Sequence, residues 1–171
     1  MLGSAREGGA TESLARRAAE SLPAGARCSW HQLSGLRFPG EGASGAEGDE
    51  EACLEATLEH SDLVMVSPLY WYSVSAQTKL YLDHWATWMM RPDLRFRDRM
   101  RGKTLWAVST YARGGVQDAE PLVGMLQRTA GYLDMTWGGA LLHRARSNGH
   151  LADPDARRHA ESFFAAAPES P

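Results

Sequence analysis

The chain has 171 residues, 43% of them hydrophobic, and a formal net charge of −3. That length buries one full core and favours a single domain over residues 1–171, while the mild negative charge gives no attraction for nucleic acid. The longest apolar run, residues 63–66, is far too short to cross a bilayer, and MLGSAREGGATESLARR lacks the apolar stretch of a signal peptide, so a soluble cytoplasmic protein is expected.

Leu14, Ala18 and Leu22 recur at helical spacing, predicting a helix over 12–22 that Pro23 ends. Ala26, Cys28 and Trp30 alternate with Arg27, Ser29 and His31, the period of a strand with one wet face near a sheet edge. Cys28 and Cys53 are the two cysteines, too few for a metal cluster or a disulfide framework, and both are expected as small buried hydrophobes in a reducing compartment. Residues 35–51 lose all periodicity and fill with Gly, Glu and Ala, predicting a flexible loop. GEGASG within it satisfies G-x-G-x-x-G, but Phe38 and Pro39 precede it and Glu47, Asp49, Glu50 and Glu51 follow. It neither ends a buried strand nor opens a helix onto a pyrophosphate, and the dinucleotide reading is rejected.

A helix is predicted over 50–60, and DLVMVSPLY then reads as a strand buried on both faces. Ser75 caps a helix whose wide apolar face carries Thr78, Tyr81, Leu82, Trp85, Trp88 and Met89. RPDLRFRDRMRG, with Arg91, Arg95, Arg97, Arg99 and Arg101, reads as a solvated connection. A strand over 104–109, the loop TYARGG, a helix from Ala119, a strand over 136–143 and a helix over 155–166 complete the series. His31, His60, His84, His150 and His159 show no metal-ligand spacing, and no metal is expected; His143 falls at the end of the last strand as a structural histidine.

Strands alternating with helices, without hairpin signals, predict an α/β fold with a parallel sheet covered on both faces. Ligands in such sheets bind beyond the carboxyl ends of the strands, and three loops leave those ends: 3–11, 68–75 and 110–115. The first, GSAREGGAT, joins hydroxyls and glycines to a helix start, the chemistry of an anion cradle, but it lacks the lysine of an ATP-hydrolysing loop.

Together, GSAREGGAT and SPLYWYSVSAQTKLYLDH resemble the flavodoxin-like NAD(P)H-dependent oxidoreductases, the FMN reductase and quinone reductase group. The resemblance implies a three-layer α/β/α sandwich with a parallel sheet, bound FMN, and NADPH or NADH as co-substrate. By it Ser4, Arg6, Ala10 and Thr11 fall on phosphate-loop positions, and Pro68, Leu69, Tyr70, Trp71, Tyr72 and Ser73 wrap the isoalloxazine ring. Thr110, Tyr111, Arg113, Gly114 and Gly115 occupy the loop that closes the other side. Tyr70, Tyr72 and Tyr111 are candidate proton donors to a small-molecule acceptor such as a quinone, and the arginine run is a candidate contact for the extra phosphate of NADPH. A homodimer is expected, using apolar surface of Tyr81, Trp85 and Trp88. A non-enzymatic FMN-binding carrier or a scaffold without cofactor is the alternative. The sequence departs from the group twice: only Met1 and Leu2 stand where a first strand of about five residues is expected, so that the sheet starts with a stub or continues upstream. Ala10 replaces a polar residue, which removes one phosphate hydrogen bond.

Overall fold

The computed structural model describes residues 1–36, 49–146 and 155–165. Most of the predicted 35–51 loop, GEGASG with it, and His150 lie outside the described residues. In chain order the elements are α1 (Ala10–Ala19), α2 (Glu50–Glu59), β1 (Asp62–Val66), α3 (Ala76–Met89), α4 (Phe96–Met100), β2 (Thr104–Tyr111), α5 (Glu120–Tyr132), β3 (Thr136–Arg144) and α6 (Ala156–Phe163). The three strands are parallel in the order β1-β2-β3.

Leu2 extends this sheet by one rung, bridging in parallel to Val66 on one side and to Gln32 on the other. Met1 N–H donates to Val64 O at 3.0 Å, Val66 N–H to Met1 O at 2.9 Å and Gly3 N–H to Val66 O at 2.8 Å. Across the stub, Leu2 N–H reaches His31 O at 2.7 Å and Leu33 N–H reaches Leu2 O at 2.8 Å. Counting the Leu2 and Gln32 segments as the first and second strands gives the order 2-1-3-4-5 of a flavodoxin-like sheet, with Leu2 as the bridging residue of the first.

The main departure from the expected elements is that residues 26–30 form no strand, and Cys28 is exposed rather than buried. Between Cys28–His31 and Ser61–Val64 a cavity of about 360 Å³ opens instead. Cys53 is buried, which pushes its thiol up to about 11.

Alternation along the strands divides the apolar residues between two faces. Leu63, Met65, Leu105 and Ala107 point to one side, where Leu54, Tyr81, Trp85, Trp88, Phe96, Leu122 and Leu126 of α2, α3, α4 and α5 cover them. Leu2, Val66, Val108 and Leu141 point to the other, under Leu14, Ala15 and Ala18 of α1 and Ala156 and Ala160 of α6. Tyr81, Trp85 and Trp88 are thus core residues in edge-on and tilted aromatic packing, not spare surface for a second copy. The sheet accommodates one oversized core residue through a bulge between Leu105 and Trp106: the Trp106 indole lies over Gly138, where a Cβ would meet the ring at 2.2 Å. Its Nε1–H donates to Asp62 Oδ1 at 2.9 Å.

Burial of the stub carries a pH signature. Removal from water pushes the Met1 ammonium down from 8.0 to about 6. Between those values the unfolded chain binds more protons than the folded one, so stability rises with pH through that window, by roughly 2–3 kcal/mol. Urea unfolding at about pH 5.5 and about pH 8.5 measures this gain, and acetylation of Met1 removes most of it.

Candidate functional site

The three loops meet above the carboxyl edge of the sheet, each held by a different device. The first turns from Gly3 into α1. Ser4 is buried, and its hydroxyl serves the loop itself, accepting from Arg6 N–H at 3.1 Å and donating to Arg6 O at 3.0 Å. Gly8, with φ of +65°, donates its N–H to Glu12 Oε2 at 2.8 Å. That bond and Arg16 hold the Glu12 carboxyl below the usual carboxylate range. The helix cap, Gly9, brings no side chain to the first amides of α1, and Ala10 and Thr11 are buried behind it. Arg6 stands exposed.

The second loop continues the β1 line before it turns. Ser67 N–H donates to Val108 O and Leu69 N–H to Thr110 O, both at 3.0 Å. Tyr70 and Ser73 then exchange two backbone hydrogen bonds of 3.0 Å, closing a turn whose inner residues, Trp71 and Tyr72, have φ of +49° and +64°. Positive φ at both inner positions is the requirement of a type I′ turn, which sequences ordinarily meet with Asn-Gly. Here two large aromatics adopt it, and Trp71 is 94% exposed, Tyr70 and Tyr72 56% each. Pro68 has no N–H, and those of Leu69, Tyr70 and Ser73 are engaged, so the segment's amides outside this pairing, among the described residues, belong to Trp71 and Tyr72.

In the third loop Thr110 is buried and Tyr111 half-buried, with Tyr111 O accepting from Ala145 N–H at 2.8 Å. Gly115 N–H donates to Asp118 Oδ2 at 3.2 Å, and at Gly114, with φ of +77°, a Cβ would meet that same oxygen at 1.8 Å. Arg113 is exposed.

Side chains join the loops to one another. Thr11 Oγ1 and Thr110 Oγ1 lie 2.6 Å apart and buried, tying the first loop to the third, while Ser75 Oγ donates to Gly3 O at 2.5 Å, tying the second to the first. Sequence reasoning placed Ser75 as a helix cap, which it is, accepting from Thr78 N–H at 3.2 Å; its bond to Gly3 was invisible because those residues lie 72 positions apart. The arginine run does not join the site. Its α4 part ends just before β2 starts, and Arg97 and Arg101 pair there with Asp134, near the start of β3, so a strand of eight residues separates it from the loops. His143 is buried beneath α6 with Nε2 3.1 Å from His159 Nδ1. Among the described residues no group of three His, Cys, Asp or Glu side chains could hold a metal ion.

A parallel sheet in this order with an anion-cradling loop, an aromatic turn and a glycine loop at one edge is the framework of a flavin protein, and comparison with known proteins agrees. The family model for NADPH-dependent FMN reductase matches residues 1–143. The chain belongs to that family. It is accordingly an oxidoreductase that uses FMN and NAD(P)H. A Bacillus subtilis (strain 168) protein described as an NAD(P)H-dependent FMN-containing oxidoreductase, YwqN, is 22% identical over 154 residues, 87% of this chain and 85% of the relative. Among solved structures, the Trp repressor binding protein from Bacillus subtilis superposes with a TM-score of 0.78 at 22% identity, covering 95% of this chain and 94% of that one, which shows the shared fold.

The residues present fit the cofactor. The Gly9 cap brings no side chain to the first amides of α1, as an anion site at a helix start requires, while Gly8 N–H shows the loop's affinity for an anion by holding the Glu12 carboxylate. The Trp71–Tyr72 turn also carries a measurable cost. Left-handed conformation disfavours residues bearing a Cβ, and Trp71 has almost no packing to lose. Trp71→Gly is expected to stabilise the fold by about 0.5–1 kcal/mol, read as a raised urea midpoint at unchanged slope.

Proposed function

We propose that the three loops form one seat for FMN, from which hydride passes to a quinone, a flavin or a similar planar acceptor. The observation that carries this reading is their mutual attachment at one edge of the sheet, through Ser75 to Gly3, Thr11 to Thr110 and Leu69 to Thr110. In it, Ser4, Arg6, Ala10 and Thr11 surround the ribityl phosphate, Pro68 to Ser73 line the ring, and Thr110, Tyr111, Arg113, Gly114 and Gly115 close the far side. When bound, FMN accepts a hydride from NAD(P)H and passes reducing equivalents on.

The protein's part is to orient and to insulate. Leu69, Tyr70 and Ser73 use their amides to keep the turn rigid, which leaves Trp71 and Tyr72 N–H as the donors for the electron-rich edge of the ring. In this reading the hydroxyl of Tyr70, Tyr72 or Tyr111 supplies the proton that a quinone needs. Replacing each in turn with Phe is expected to lower kcat with menadione by about tenfold or more at one position; unchanged turnover in all three dismisses the proton role. The chain is read as one flavodoxin-like unit in the cytoplasm. A homodimer remains the expected state on the family resemblance, without Tyr81, Trp85 and Trp88 at its interface, and light scattering tests it.

FMN titration followed by flavin fluorescence, then NADH and NADPH oxidation with menadione, tests the reading as a whole. Ala10 offers the phosphate no side-chain donor, so Ala10→Ser is expected to tighten FMN about three- to tenfold while leaving riboflavin affinity unchanged.

A further inference from the structure

We propose that Ser75 is a positioning residue that makes phosphate binding and ring binding cooperative, so that the protein selects phosphorylated flavin through coupling between two loops as well as through contacts in the phosphate loop. The inference deepens the FMN-seat reading and rests on it.

Ser75 is 1% exposed and its hydroxyl is fully used. Oγ donates its single proton to Gly3 O at 2.5 Å and accepts from Thr78 N–H at 3.2 Å, with Thr78 Oγ1 at 3.0 Å. Its own N–H donates to Ser67 Oγ at 2.8 Å, on the last residue before Pro68. One residue therefore touches the phosphate loop, the start of the ring segment and the first turn of α3. An ordinary cap needs only the Thr78 bond.

Gly3 is pressed against this group with no slack. A Cβ there would lie 1.8 Å from Thr78 Oγ1 and 2.8 Å from Ser75 Oγ, while Gly3 N–H is held by Val66 O at 2.8 Å. Its peptide is gripped from the sheet on one side and from Ser75 on the other, immediately before Ser4 opens the loop. On the far side of Ser75 only Val74 separates it from Ser73, which closes the aromatic turn. An anion seated on residues 3–11 is thus linked through Gly3 and Ser75 to the base of the 70–73 turn, so that each ligand favours the loop arrangement the other needs.

The experiment measures riboflavin affinity with and without inorganic phosphate, against sodium chloride at matched ionic strength, in the parent and in Ser75→Gly. Glycine is a tolerated helix cap, so this variant keeps α3 while removing the donor to Gly3. In the parent, phosphate is expected to tighten riboflavin about five- to tenfold, and in Ser75→Gly by a factor near one; Ser75→Ala repeats the test with a Cβ in place. Loss of stability alone does not move this ratio. The proposal is overturned if phosphate has no effect on the parent, or if Ser75→Gly keeps the full enhancement. A parent that binds neither FMN nor riboflavin refutes the underlying seat as well, whereas tight FMN binding without coupling refutes only the role of Ser75.

Discussion

Everything at the carboxyl edge of this protein hangs on three residues of backbone. Met1, Leu2 and Gly3 form the rung that joins Gln32 to β1, and Gly3 is also where the first loop begins. The buried Leu2 side chain under α1 is the apolar half of the same anchor.

The two cores respond to this economy differently. The face under α3, α4 and α5 is large and aromatic, with Tyr81, Trp85, Trp88 and Phe96 in mutual ring contact. Tyr81 brings its hydroxyl in with it, 2.6 Å from Thr57 Oγ1, and burial pushes that phenol far up. The face under α1 and α6 is built of small residues, alanines above all, that let the helices approach closely. The heavy face steadies β1 and α3, the pieces that flank the aromatic turn. The light face carries α1, whose N-terminus opens from the first loop.

Much of this was legible in the sequence, and the parts that were not share a cause. The uninterrupted apolar run before Ser67 and the helical stripe after Ser75 encode burial, which is local and periodic, so β1 and α3 were readable with their cap. Alternation at Ala26, Cys28 and Trp30 imitates a strand, but a strand is defined by backbone pairing with a neighbour, and here the described pairing comes at Gln32. The apolar face of Tyr81, Trp85 and Trp88 suggested a second copy because sequence reports how much apolar surface exists, not that α4 is folded over it. Loop chemistry at GSAREGGAT and SPLYWYS was visible in residue types. The connections between those loops were not, since a serine seventy-two positions from a glycine leaves no pattern.

The aromatic turn also gives the molecule an optical asymmetry. Trp85, Trp88 and Trp106 are sealed in the interior, whereas Trp71 stands almost wholly in water at the tip of a closed backbone turn. An aqueous quencher such as iodide therefore meets this indole first, and its emission is red-shifted relative to the buried three. The chain thus carries an indole whose emission reports on the surroundings of the 70–73 turn itself.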